Sequence, residues 1–517
     1  MKRYLAGTFI FAVAVSVLAG CVKTPTASNQ DERYTISWTA WQASPIESDA
    51  RIKKMIEDKL NVNIDIWNIE PTRFEELLNL RLASGEVPDV IRIPQGYAGL
   101  NNIVAQGLAA KLDEDMIKKH APNLYQEYME CDNNFFKKYG LIDGDLYGIP
   151  LLQWIRGKYH QAVVYRGDWM KKLGFDKTPE TLQEFEEVMY AFAKGDPDGN
   201  GKNDTYGLSN IGMDVVYGAF GYLPGSKDRE IKWKNKDGQL VYNAIQPEMK
   251  DALRVLAKWY ADGVIDPEFV TGEKVGAQMA VSFINGRIGF TCEGRWFDWV
   301  PELPGRKEVA KLRTGLEKID KNAADSLMFG VPPVGPAGKS GALQEKLVTD
   351  VMYAFSVDLK ADAKKMEKVF SVIDKICFES YEGALEAWFG EKGVDWDYDE
   401  LGIGDSLDDK WTPANASKLG GHTQLVIFKS NKWKEPPAVM EWLKKYKWDE
   451  NGITDDLYMY LPSSPKYKVD LQKLEDDAYI SIITGKKPID YFDTFVSQWR
   501  KEGGDILTQE ANRGGNN

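Results

Sequence analysis

Apolar residues recur along this chain with two periods. TISWTAW (35–41) has the β-branched and aromatic content of a strand, and from Ser48 a helical spacing follows that puts Ile52, Met55, Ile56 and Leu60 on one face. In NVNIDIWNI, Val62, Ile64 and Ile66 alternate with polar residues, which is a strand period. Arg73 to Ala83 returns to helical spacing through Phe74, Leu77, Leu78 and Leu82, and PDVIRI (88–93) is a short apolar strand. Strand, helix, strand, helix, strand predicts a parallel α/β sheet with right-handed crossovers, and such sheets bind ligands beyond the carboxyl ends of their strands. Further on, TLQEFEEVMYAF carries a capping box, Thr181 with Glu184, ahead of the apolar face Leu182, Phe185, Val188, Met189 and Phe192. Helices are also expected at 247–262, 361–377 and 466–484, the last closed by Gly485 and Pro488. No internal repeat is present.

The first residues follow a different logic. Lys2 and Arg3 precede an apolar run from about Leu5 to Leu18, too short for the roughly 20 residues that span a bilayer, and Leu18-Ala19-Gly20 leads to Cys21. Residues 1–20 therefore read as a cleaved signal peptide. The placement of Cys21 resembles the bacterial lipoprotein box, in which that cysteine is diacylated and two buried chains suffice for anchoring. Residues 21–30 are polar and read as a tether. Cleavage takes two positive charges from a chain already at −13, which argues against nucleic acid as a partner. Cys131, Cys292 and Cys377 show no paired spacing, so neither a disulfide framework nor a zinc site is indicated. At 517 residues the chain exceeds what a single core organises, and two lobes are expected.

Candidate chemistry concentrates in two places. GDPDGNGKNDTYG (195–207) sets oxygen-bearing side chains at positions 1, 3, 5 and 9 counted from Asp196: Asp196, Asp198, Asn200 and Asp204, with the Lys202 carbonyl at position 7. A hard cation such as calcium takes six to eight oxygens from a tightly curled chain, and Gly199 and Gly201 allow the curl. The bland alternative is an Asx-rich turn without metal. Three carboxylates in nine residues repel one another unless a cation neutralises them, which favours structural calcium. Position 12, where an EF-hand places a glutamate, is Gly207. The second place is aromatic. SWTAWQ (37–42), QWIRGKYH (153–160), EGRWFDWV (293–300) and AWFGEKGVDWDYD (387–399) mix rings with charged or amide side chains, the combination that stacks on sugar faces and pairs sugar hydroxyls. Against this, any one tryptophan is equally well a core anchor. GPAGKS (335–340) fails as a phosphate loop because position 333 is Pro333, and the three histidines are far apart in sequence.

Several stretches carry a family likeness: LYGIPL (146–151), VVYRGDWMKKLGFDKTPETLQEF running into the Asp-rich loop, YADGVIDPEF (260–269), GVPPVGPAGK (330–339) and IITGKKPIDYFDTFVSQWRKEGGDI (482–506). Together they resemble the family 1 extracellular solute-binding lipoproteins of bacterial carbohydrate importers, especially those similar to alginate-oligosaccharide-binding proteins. The resemblance implies a two-lobed, hinged, periplasmic-binding-protein-like (type II) α/β fold. It further implies closure on an oligosaccharide and delivery to an ABC permease, with a calcium loop on the second lobe. The matching calcium positions are Asp196, Asp198, Asn200, Lys202 and Asp204, and Thr205 stands where the subgroup can offer one more carboxylate. Cleft aromatics map to Trp296 and Trp388, with Glu293 and Arg295 as polar partners. Trp38, Trp41, Trp154 and Arg156 join them because strand ends and the segment after LYGIPL should face the cleft. Lobe one is expected over 31–150 plus about 325–385, and lobe two over 151–324 plus about 386–517.

The expected protein is a monomeric, lipid-anchored receptor on the extracytoplasmic face of the cell membrane, not an enzyme. Two alternatives stay open: a receptor for a peptide or another polar solute, and a lipid-anchored glycoside hydrolase or polysaccharide lyase using a pair such as Glu293 and Asp298.

Overall fold

The computed structural model describes residues 33–41, 45–153, 158–225, 232–270, 280–306, 310–408 and 410–513. The leader, Cys21, the tether, Trp154 and Arg156 lie outside the described residues, as does the side chain of Trp41.

The expected alternation forms the main sheet. Strand β1 (Tyr34–Trp41) pairs in parallel with β2 (Val62–Ile69), in register from Tyr34 opposite Val62 to Trp41 opposite Ile69. On its other side β1 meets β3 (Val90–Ile93) in parallel. Two further strands complete the sheet, β4 (Gly148–Leu152) and β5 (Val348–Phe355), in the order β2-β1-β3-β5-β4. β5 runs antiparallel to both neighbours, so the sheet is mixed, and its inner strand arrives from far down the chain.

Local chemistry sets the helix ends. Arg51–Leu60 buries Ile52 and Ile56 and stops at Asn61, which takes the left-handed conformation at φ 50° that asparagine tolerates. Leu182–Lys194 begins at the expected capping box, with the Thr181 hydroxyl accepting from Glu184 N and the Glu184 carboxylate accepting from Thr181 N. Helices Pro247–Ala261, Ala363–Cys377 and Ser464–Ile483 fall where the periodicity placed them.

Two bodies of apolar packing organise these elements. The first gathers on the main sheet: Ile36, Trp38, Ile64, Val90, Phe355 and Phe370 share one cluster with Leu425 to Phe428. The second body joins the cluster of Phe185, Trp259, Phe290 and Trp499 to that of Phe283, Trp299, Phe329 and Trp442. They meet at a three-stranded sheet in which Val164–Tyr165 lies between Phe290–Thr291 and Met328–Phe329. The packing of two segments departs from the expected lobe limits. Phe329 and Ala342 pack in the second body, not the first, because Met328–Phe329 pairs with the 164–165 strand. Leu425 to Phe428 and Ala387 pack in the first, because this segment lies along β1, where Gln424 O accepts from Trp38 Nε1 at 2.9 Å. Chain crossings between the bodies run side by side, with Gln153 N donating to Leu347 O (2.8 Å) and Gln161 N to Leu343 O (2.6 Å).

Candidate functional site

Beyond the carboxyl end of β3, where Ile93 gives way to Pro94-Gln95-Gly96-Tyr97, a cavity of about 530 Å³ opens between the two bodies. That is the position where open α/β sheets take ligands. Its first wall is Gln95, Tyr97 and Asp350, with Tyr460 packed against the same body; its second is Trp233 and Tyr242, with Lys346 between. Rings and hydrogen-bonding groups therefore face one space, as a polar solute with apolar faces requires. Lys346 is held by Asp455, its Nζ 2.9 Å from Oδ2, while Asp455 Oδ1 accepts from Trp233 N at 2.9 Å. Burial raises the Asp455 carboxyl above its ordinary range, against the pull of Lys346. Gln95 and Tyr97 escaped notice in the sequence, although they follow a predicted strand directly; Tyr460 is joined to them only by the fold.

Of the expected ligand residues, Trp38 and Trp296 are buried within the apolar clusters of their bodies. Trp38 is 1% exposed, because strand alternation turns it to the same side as Ile36. Trp296 is fully buried, its ring edge-on to Tyr159 at 6.2 Å and under the Arg306 guanidinium at 5.5 Å. Glu293 is buried at 3% exposed, and its carbonyl accepts from Trp299 Nε1 at 2.8 Å. Arg295 is half-exposed and ion-paired to Glu345 of the crossing segment. Asp298 caps the short helix Trp296–Trp299 by accepting from Arg295 N at 2.9 Å.

Trp388 is different. It sits half-buried near the end of helix Tyr381–Phe389, its ring centroid 3.8 Å from that of His422 and 5.2 Å, edge-on, from that of Trp433. Trp411 packs 6.0 Å from His422 on another side. The module reaches the carboxyl ends of β1 and β2 through Gln424, which is bonded to Trp38 and, at 3.4 Å, to Asn68. Burial pushes the His422 imidazole down to about 4, so this aromatic group surrounds a neutral ring at neutral pH. The sequence flagged 387–399; Trp411, His422 and Trp433 join it only through folding.

The Asp-rich loop curls as expected. Gly199 and Gly201 take φ 75° and 73°, and Asp196 itself takes φ 48°. Asp198 Oδ2 and Asp204 Oδ1 converge on Asn200 Nδ2 at 2.6 and 3.1 Å, and the Asp196 carboxylate accepts from Gly201 N at 3.2 Å. The donor set is all hard oxygen once the Asn200 amide is turned, an assignment the hydrogen-bond network alone decides, and so fits calcium. The Thr205 hydroxyl donates to Phe192 O at 2.9 Å. Among the described residues no group of three or more His, Cys, Asp or Glu is placed to hold a metal ion.

Comparison with known proteins gives these features a context. Residues 50–297 match the family of bacterial extracellular solute-binding proteins. The polygalacturonan/rhamnogalacturonan-binding protein YtcQ of Bacillus subtilis is 26% identical, with 96% of this chain and 95% of YtcQ covered. Lipoprotein LipO of the same organism is 24% identical over 99% of this chain and 98% of its own. Among solved structures, a solute-binding protein associated with an HMO-binding ABC transporter from Bifidobacterium longum infantis superposes with a TM-score of 0.67 at 15% identity, covering 94% of this chain and 99% of that one. The alginate-binding protein AlgQ2, solved without calcium ion, superposes at 0.58 and 20% identity over 93% of this chain and 98% of its own. An EF-hand mutant of the Streptococcus pneumoniae substrate-binding protein FusA, in complex with fructo-nystose, superposes at 0.59 and 18% identity with the same coverage. With the two-body architecture and the cavity between the bodies, these matches make the chain similar to bacterial extracellular solute-binding proteins, over residues 50–297 by the family match and over most of its length by fold.

Proposed function

We propose that this protein captures an extracellular oligosaccharide between its two bodies and delivers it to an ABC permease. The observation that carries the reading is the ring- and hydroxyl-pairing cavity at the carboxyl end of β3, in a chain whose relatives YtcQ and FusA are named for binding saccharides. The bodies act as lobes. The first is 33–153 with about 345–433, the second 158–343 with about 437–513, and the crossings paired at Gln153 with Leu347 and at Gln161 with Leu343 form the hinge. Sugar touching both walls makes contacts that exist only when the lobes are closed, and that difference in affinity shifts the population toward the closed form. The permease reads the closed shape. The protein performs no chemistry on its ligand.

Within this reading Gln95, Tyr97, Trp233 and Tyr460 contact the ligand from the cavity, and Trp388, Arg295 and Glu293 are proposed as further contacts. Trp41, Trp154 and Arg156 remain proposed contacts from their places in the chain. Asp196, Asp198, Asn200, Asp204 and the Lys202 carbonyl would hold a structural calcium, with water completing its shell, and Cys21 carries the lipid that keeps the receptor at the outer face of the membrane.

The test is a tryptophan-fluorescence titration of the chain from residue 22 with galacturonate oligomers, fructo-oligosaccharides and a peptide panel, followed by mass spectrometry of the recovered ligand. A saturable change with an intact sugar is expected. Cleaved sugar would overturn the receptor reading in favour of an enzyme, and a response to peptides alone would overturn the ligand class. Trp388→Ala is expected to weaken sugar binding about tenfold to a hundredfold, the loss of one to two stacking contacts of about 1.4 kcal/mol. Unchanged affinity would remove Trp388 from the site.

A further inference from the structure

The second body sends one short segment against the first. It is tied to the second body at both ends. Upstream, Gly452–Ile453 pairs in parallel with Ala342–Leu343, and Asp456 N donates to Trp233 O at 2.9 Å. The Asp455 and Asp456 carboxylates then accept from Trp233 N at 2.9 Å and from Asn235 N at 2.7 Å. Downstream, the Ser463 backbone N–H and hydroxyl donate to the two oxygens of the Glu510 carboxylate, at 3.0 and 2.6 Å. Between these ties lie Leu457, Tyr458, Met459, Tyr460 and Leu461, whose successive side chains go to opposite sides, as an extended backbone requires. Leu457, Met459 and Leu461 join the cluster of Phe185, Trp259 and Trp499, whereas Tyr458 and Tyr460 pack against the first body.

The two tyrosine rings straddle the end of the main sheet. Tyr458 packs with the cluster that takes Tyr353 and Phe355 of β5, and Tyr460 with the one that takes Met352 and Ala354, which are the two faces of that strand. The Tyr458 ring is edge-on to Tyr139, centroids 4.7 Å apart, with Lys138 Nζ 5.2 Å and Lys346 Nζ 5.8 Å from its own centroid. Edge-on ring pairs and cations over rings are short-range attractions that vanish once the surfaces part. Tyr460 lines the ligand cavity, whereas Tyr458 lines a second cavity of about 350 Å³ beside the hinge, together with Gln153, Gln344 and Asn431.

We propose that residues 454–461 form a latch between the two bodies and that Tyr458 is its positioning residue, holding the bodies together from outside the ligand cavity. The mechanical path is short. Trp233 belongs to the second wall of the ligand cavity and Tyr97 to the first. An opening that carries Trp233 away from Tyr97 also carries Asp455 and Asp456, through their bonds to Trp233 and Asn235, and so withdraws Tyr458 from Tyr139. The latch therefore opposes opening and raises the share of the chain already in the closed, binding-competent form. Apparent affinity scales with that share. The ligand half of this inference rests on the oligosaccharide reading, whereas the placement of the bodies is independent of any ligand.

The experiment compares the chain from residue 22 as wild type, Tyr458→Phe and Tyr458→Ala. Three quantities are measured: affinity for galacturonate oligomers and fructo-oligosaccharides by tryptophan fluorescence, radius of gyration by small-angle X-ray scattering with and without sugar, and melting temperature. Phenylalanine keeps the ring and its contacts, and should match the wild type in affinity and radius. Tyr458→Ala should weaken sugar binding about tenfold, the loss of one favourable ring contact. Its ligand-free radius should exceed that of the wild type and return to the wild-type value at saturating sugar, because ligand closes the bodies without the latch. A lower melting temperature with unchanged radius and affinity would assign Tyr458 to packing alone and overturn the latch. Tighter binding by Tyr458→Ala would overturn its direction, since the segment would then prop the bodies apart. A larger radius with unchanged affinity would overturn the coupling to ligand. If no sugar binds any of the three proteins, the oligosaccharide reading fails, and the ligand-free radius still decides the latch. Should Tyr458→Ala not fold, Tyr458→Leu fills the site without the ring contacts and carries the same expectations.

Discussion

Lowering the pH from 7 to 4 is expected to destabilise the protein by several kcal/mol, with two buried histidines as the main source. His160 is 1% exposed, stacked on Trp448 with centroids 6.0 Å apart and rings 10° from parallel, and its Nδ1 lies against Gln161 O at 2.5 Å. His422 is enclosed by Trp388 and Trp411. Burial lowers both imidazoles to about 4 from an ordinary 6.5. The unfolded chain therefore takes up these protons first. The stability each ring contributes is complete above about 6.5 and disappears as pH falls toward 4, to a limit of about 3 kcal/mol per ring. Denaturant unfolding at pH 7, 5.5 and 4 on the wild type and the His160→Gln/His422→Gln pair checks this. The double variant should lose much less over the same interval. An equal loss in both would assign the acid sensitivity to carboxylates instead.

Chelation is expected to produce the second large effect. In the proposed calcium site a cation would neutralise three carboxylates held within nine residues, and a ligand present at a hundred times its Kd adds about 2.7 kcal/mol to the native state. The loop continues from the Leu182–Lys194 helix, and Thr205 at its end is tied to that helix through Phe192 O, so loss of the ion loosens the helix end as well. Calorimetry with calcium and with a chelator should separate the melting transitions by several degrees. Asp198→Ala with Asp204→Ala should abolish the difference. Identical transitions with and without calcium in the wild type would leave the loop as a metal-free Asx turn. Sugar affinity measured alongside distinguishes a structural ion from one that reaches the cleft.

Much of this molecule is legible in its sequence because the determining interactions are short in range. The alternation of Val62, Ile64 and Ile66, the Thr181/Glu184 capping box and the oxygen spacing of the 196–204 loop are settled within a few residues of chain. The structure keeps each of them. The two-body division follows from length, since one core cannot grow across 517 residues.

What the residues alone left open was decided by packing at long range. Trp38, Trp41, Trp296 and Trp388 look equivalent in sequence, each an indole beside polar neighbours. Strand phase buries Trp38, the Tyr159 and Arg306 side chains bury Trp296, and only the meeting of 381–389 with His422 and Trp433 leaves Trp388 half-open. The lobe limits moved for the same reason, because Phe329 follows its strand partner and Leu425 follows β1, whatever their nearness along the chain. The cavity draws walls from 94–98, 232–242, 346–350 and 455–471, and Glu475 faces Tyr242 across 233 residues of sequence. Period and spacing are fixed by neighbours along the chain, whereas exposure is fixed by whatever else the fold brings against a side chain, and that is a property of the whole tertiary structure.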